Sequence, residues 1–275
     1  MVYSNCWIAL GAAASCLQFY FLTDTEIHYP LLAFIFSGTL LTYTFQRYVK
    51  LNSGIYNQSA RMIWMKKRPK LVQAIMLTAV IASLFIVVSF PPEAFVFLIV
   101  MGTISYFYIQ KLPGKNNRNL RDRPFIKIYL IAGVWALTSV LLPMFLLENF
   151  HWNHLWLALV NFLFVLAITI PFDIRDIELD EEDKFTIPQL MGVRNSKILA
   201  VFFAASSFAL LLYLYPDMWP PIGGTALFTI ALVVGSARKR PDQYYSFFVD
   251  GLLILQAALI GLFDWLSIYE TVTHP

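Results

Sequence analysis

Charge is what this chain has least of. Only 13% of its 275 residues are Asp, Glu, Lys or Arg, against 59% hydrophobic, and the mean hydropathy is +0.64. So few charges do not cover a water-facing globule of this size, which excludes a soluble domain and points to a bilayer as the solvent. Cysteine is nearly absent. Cys6 and Cys16 are the whole supply, and on one helix they stand about 15 Å apart, too far to pair. Neither a disulfide framework nor a zinc site is expected. Histidine is also scarce, and the one close pair, His151 and His154, has no third ligand near it in sequence.

No Lys or Arg precedes Arg47. The first apolar segment therefore lacks the basic leader of an export signal and reads as a retained helix. Internal repeats and low-complexity tracts do not stand out, and no stretch has the composition of a separate soluble unit. Residues 1–275 are expected to form a single integral membrane domain.

What the sequence does hold is apolar stretches of spanning length. A helix needs about 20 mainly apolar residues to cross hydrocarbon, and about nine such segments begin near Cys6, Leu31, Leu71, Glu93, Lys127, His154, Lys197, Ile222 and Tyr245. The shortest covers 222–237. The expected fold is all-α, an integral membrane bundle of about nine transmembrane helices.

All 20 basic residues fall in four places: seven between positions 47 and 70, six between 111 and 127, four between 175 and 197, three between 238 and 240. The alternate connections carry Asp24, Glu26, Glu93, Glu148, Asp217 and Glu270 without one basic residue. By the positive-inside rule the basic connections are cytoplasmic, so the N-terminus is expected inside and, after an odd number of crossings, the C-terminus outside. A bacterial-type inner membrane is the expected location. Such a face attracts anionic lipid headgroups and soluble anions. Nucleic acid is not an expected partner, because the basic residues are spread over short loops and no nucleic-acid-binding module is present.

One run breaks the scarcity of charge. Behind the apolar stretch 154–172 the chain reads DIRDIELDEED, seven acids in the eleven positions 173–183. If the helix continues, Asp173, Asp176 and Asp180 recur at intervals of three and four and share one face. Carboxylates at a membrane exit are costly to desolvate, and three on one face suit a magnesium ion that takes its remaining ligands from water and phosphate. The plainer alternative is a solvated acidic loop balanced by Arg175, Lys184 and Arg194. Asn161, Asp250 and Gln256 lie within apolar segments, where hydrogen bonding between helices is the expected role; Asp250 is also suited to a proton or ion relay.

The longer string, Asp173-Ile-Arg-Asp-Ile-Glu-Leu-Asp followed by Thr186-Ile-Pro-Gln-Leu-Met-Gly192, resembles the second aspartate-rich motif of the UbiA superfamily of intramembrane prenyltransferases. That motif has an aspartate, three residues, another aspartate, then Thr-x-Pro-x-x-x-Gly, and Asp176 and Asp180 match its acids. Tyr106 and Lys111 resemble the family's Tyr-x-x-x-x-Lys at the end of its fourth helix. The family's nine-helix layout agrees with the count above. The resemblance implies transfer of an isoprenoid chain from a prenyl diphosphate to a lipophilic, for example aromatic, acceptor at the cytoplasmic side. It makes Asp176 and Asp180 catalytic, Asp173, Asp176 and Asp180 ligands of Mg²⁺, and Lys111, Tyr106, Arg47 and Lys50 binders of the diphosphate.

The family's first motif, Asn-Asp-x-x-Asp-Arg-x-x-Asp, falls on 42–50 when its Arg is aligned with Arg47. Tyr43, Gln46 and Lys50 then stand where acids are expected. One magnesium site is therefore expected in place of two. Three roles are open to Arg47 and Lys50: gripping the diphosphate directly, pairing with Asp176 and Asp180 and closing the site, or anchoring their helix at the headgroups. The alternative to an enzyme is a catalytically impaired relative that binds a lipid or a partner membrane protein, with a small transporter the third option.

Overall fold

The structure, a computed structural model, describes residues 2–52, 60–109, 126–146, 151–177 and 186–273, and the described residues form helices and no strand. Hydrocarbon offers backbone N–H and C=O groups no partner, so apolar segments bond to themselves as helices. In order these are α1 (Cys6–Thr23), α2 (Tyr29–Asn52), α3 (Ala60–Lys67), α4 (Pro69–Val87) and α5 (Ala94–Ile109). Then α6 (Ile126–Ala136) runs through a π-helical stretch, Leu137–Leu141, into α7 (Leu142–Leu146) as one span, followed by α8 (His154–Asp176) and α9 (Ile187–Leu214). Finally α10 (Trp219–Gly235) is followed by a second π-helical stretch, Tyr244–Val249, that leads into α11 (Asp250–Thr273).

Seven of the described spans are long and apolar enough to cross a membrane. The expectation of about nine rests on two further helices that miss this measure for different reasons. At 24 residues α2 is long, but Ser37, Thr39, Thr42, Thr44, Gln46 and Arg47 dilute its apolar character, while α5 is apolar and only 16 residues long.

Counting α11 with its π-helical lead-in from Tyr244, observed starts lie within three residues of the expected ones except at α9, which begins at Ile187 instead of near Lys197. The extra length is a polar first turn joined to the apolar helix through Gly192, whose φ of 79° and ψ of 163° are not helical. Only glycine adopts such a conformation without strain. Pro188 opens this turn, the Gln189 side chain accepts from the Thr186 N–H at 2.8 Å, and Ser196 Oγ donates to the Gly192 carbonyl at 2.7 Å. The Thr-x-Pro-x-x-x-Gly string is thus a helix start followed by a break.

The helices pack largely on their neighbours in sequence: α1 on α2, α2 on α4, α6 on α8, α8 on α9, α9 on α10, α10 on α11. Contact between α11 and α1 brings the last of these helices against the first. Close approach along that seam relies on glycine, since a Cβ at Gly261 would enter the Phe21 ring. The most enclosed helix is α8, with Phe164, Leu166, Ile170 and Ile174 fully buried, whereas α4 turns Leu77, Ile81, Leu84 and Phe85 outward as a lipid-facing helix does.

Candidate functional site

Where the C-terminal ends of α2 and α8 meet the starts of α6 and α11, with α3 beside them, the bundle encloses a cavity of about 200 Å³. Among the described residues its polar wall carries five cations, Arg47, Lys50, Arg61, Lys127 and Arg175, against three carboxylates, Asp173, Asp176 and Asp250. Its apolar wall includes Ile131, Trp135, Ile168 and Phe172. A smaller space of about 120 Å³ shares Tyr43, Gln46, Ile131 and Trp135 with it and runs on toward Ile104 and Leu130.

Helix α8 continues past Phe172 to Asp176, as the spacing of its acids requires, and brings Asp173 and Asp176 to the same cavity. Each is already engaged by a cation. Lys127 Nζ, from the start of α6, donates to Asp173 Oδ1 at 2.5 Å, and this carboxylate is 2% exposed. Arg175 forks onto Asp176 with Nε to Oδ1 at 2.7 Å and Nη2 to Oδ2 at 2.9 Å. Its remaining arm, Nη1, donates to Asp242 at 2.8 Å. The guanidinium also lies over the rings of Phe172 and Tyr245, and the Tyr245 hydroxyl donates to the Ala237 carbonyl. The connection between α10 and α11 is thereby fastened to the end of α8.

Arg47 and Arg61 are different. The Arg47 guanidinium lies over the Tyr43 ring at 5.5 Å, and its Nη1 is buried without a hydrogen-bond partner. Arg61 is 9% exposed on α3, and its Nε is likewise buried without a partner. Burial pushes the Arg61 guanidinium below its ordinary range, and Asp242 and Asp250 act against that shift. Asp250 lies within electrostatic reach of Arg61, Arg47 and Arg175.

Of the sequence-predicted site residues, Arg47, Lys50, Asp173 and Asp176 therefore share one cavity. Tyr106 is 60% exposed on α5 and is not among that cavity's lining residues. Lys111 and Asp180 lie outside the described residues. The fork on Asp176 comes from Arg175, not Arg47. Sequence reasoning missed Arg61 and the pairing of Lys127 with Asp173, named Arg175 only as a balancing charge in a solvated loop, and treated Asp250 as a helix-packing or relay residue. The signal for Arg61 was a lone cation ahead of Met62, Ile63, Trp64 and Met65.

The donors among the described residues do not by themselves offer a magnesium ion a ligand set, and Asp180 and the acids beside it lie outside those residues. With Asp173 and Asp176 both held by cations, and Tyr43, Gln46 and Lys50 in place of acids on α2, no three His, Cys, Asp or Glu among the described residues gather into a metal-binding group.

Fold and cavity together define an integral membrane helical bundle with a largely cationic, aromatic-walled chamber at one end. The chain belongs to the UbiA prenyltransferase family: the family model matches residues 65–248, more than half of its length, and starts beyond the altered stretch 42–50. Among solved structures it resembles an apo UbiA homologue from Aeropyrum pernix K1 at 13% identity and a TM-score of 0.64, covering 97% of each chain. A UbiA homologue from Archaeoglobus fulgidus bound to GPP and Mg²⁺ superposes at 12% identity and a TM-score of 0.61, over 95% of this chain and 100% of that one. A digeranylgeranylglyceryl phosphate synthase structure does so at 14% and 0.57, over 95% and 99%. At such identities these likenesses show the fold. A comparison with curated proteins gives no match.

Proposed function

We propose that this chain binds a prenyl diphosphate with its phosphates in the cationic cavity and transfers the prenyl group to a lipophilic acceptor. The observation that carries the reading is the joining of two chemistries in one chamber: Arg47, Lys50, Arg61, Lys127 and Arg175 on one wall, Trp135, Ile131 and Phe172 on the other. The adjoining apolar space past Ile131 and Trp135 gives a hydrocarbon tail somewhere to lie. The relative that binds GPP supports this choice of donor.

In the proposed reaction the allylic C–O bond breaks and its electron pair leaves with the diphosphate, whose added charge the cationic wall stabilises. The acceptor supplies the electron pair for the new bond and loses a proton to solvent or to the departing phosphate. Aromatic walls exclude water from the carbocation. Asp173 and Asp176 act here by holding Lys127 and Arg175 in place. Lys111 and Tyr106 complete the proposed diphosphate end, and Asp180 its acidic edge, on the strength of the motif alone. The cavity lies at the end of the bundle that carries the basic connections, which supports a cytoplasmic site, an inner N-terminus and a single membrane domain over 1–275.

The test is incubation of the purified chain in nanodiscs with labelled prenyl diphosphates of several lengths and a panel of aromatic and lipid acceptors. Prenylated product is expected. Neither product nor binding at any length would end the proposal. A second reading, a binder without turnover, is favoured by the ion pairs on Asp173 and Asp176; it predicts saturable binding with no product.

A further inference from the structure

Two guanidinium groups in the cavity are unlike the other ion-pairing groups around them. Asp173 has Lys127, while Asp176 and Asp242 share Arg175. Arg47 Nη1 and Arg61 Nε are buried N–H groups without an acceptor, on two helices that face the same space. A buried charged donor left unpaired costs more than an ordinary hydrogen bond returns, so such a pair persists where something outside the chain supplies the oxygen. Among its described lining residues the cavity also has more cations than carboxylates, and these call for an anion.

We infer that Arg47 and Arg61, assisted by Lys50, grip the terminal phosphates of the ligand directly, so that binding of a diphosphate needs no divalent metal. The planar guanidinium fork matches phosphate oxygens, and two forks from α2 and α3 approach one polyanion from different helices. Lys50 adds a positive charge at a position where an acid would have recruited one. Asp250, within reach of both guanidinium groups, limits their mutual repulsion when the cavity is empty. The inference rests on the reading of the cavity as a diphosphate site and adds how that site holds its ligand.

The experiment measures binding of inorganic pyrophosphate and of geranyl diphosphate to the full chain in neutral-lipid nanodiscs, in EDTA and in Mg²⁺. Affinity in EDTA is expected to match that in Mg²⁺ within about twofold and to fall steeply with added salt. Arg61→Gln and Arg47→Gln are each expected to weaken binding by about tenfold or more, with Arg61→Lys recovering part of the loss. Thermal unfolding of the ligand-free variants identifies any that lose the fold, and the EDTA comparison needs no variant at all. Binding seen only with Mg²⁺ overturns the direct grip and leaves the diphosphate site standing. No binding in either buffer overturns both. Competition by phosphatidylglycerol introduced into the discs, with binding intact in neutral discs, supports the same grip with a lipid headgroup as a rival occupant.

Discussion

Asp173 is buried near the end of α8 and accepts a charge-assisted hydrogen bond from Lys127. Taking the cation away removes that ion pair from a buried carboxylate. Lys127→Met is expected to lower stability by about 3–5 kcal/mol, read as a fall in the melting temperature of the solubilised chain. The double change Lys127→Met with Asp173→Leu should recover most of it, since two apolar groups replace the pair. Asp176→Asn behaves otherwise: it keeps the side-chain shape but leaves one acceptor and no charge for the two Arg175 donors, and is expected to reduce prenyl diphosphate binding at least as much as it reduces stability. Equal binding by wild type and Asp176→Asn would show that the fork plays no part in holding ligand. Asp173 and Asp176 were legible in the sequence because three residues on a helix is nearly one turn. Their partners were not, because Lys127 lies 46 positions from Asp173 and a cation beside an apolar run also satisfies the positive-inside rule. Arg175 was in view throughout as the neighbour of Asp176, yet spacing alone does not distinguish an outward snorkelling side chain from one folded back onto the next carboxylate.

Among the elements, α9 tests how far composition reaches. Its apolar stretch is plain from Lys197 onward, and the polar turn ahead of it is legible only once the Gly192 dihedral is known. Gly192→Ala forces a side chain into a backbone region that glycine alone occupies freely, at a cost of about 1–3 kcal/mol. The space around Gly192 is open, so the loss is one of backbone geometry, not of packing. Hydrogen exchange at the start of α9 is the measurement: faster exchange confined to the first turns is expected, and protection equal to wild type would sink the idea. The two π-helical stretches had no signature in apolar periodicity. Both interrupt spans that line the cavity, and Tyr244–Val249 delivers Asp250 to its place among the arginines. An extra residue per turn redirects every side chain after it, which a count of apolar residues does not register.

At the scale of the whole molecule, the all-helical class and most segment starts were readable because hydrocarbon leaves the backbone so few choices. The number of crossings was less so, since α2 carries polar residues that serve the cavity and α5 is short. The proposed orientation is open to a direct check. In a Cys6→Ser, Cys16→Ser background, a cysteine at Asp217 is expected to react with an impermeant maleimide from outside intact cells, and one at Lys239 only after the membrane is opened. The reverse pattern would invert the topology.

The seam between α1 and α11 sets the timetable of assembly. Helix α1 leaves the ribosome more than two hundred positions before its neighbour α11, so at about 5–20 residues per second it stays in lipid for on the order of ten seconds or more before that partner arrives. Ile8 from one and Leu253 from the other face the same chamber. A nascent chain is therefore without a finished chamber until α11 has been made, and any truncation that removes α11 leaves an open, charged trough in the bilayer for quality-control proteases to find.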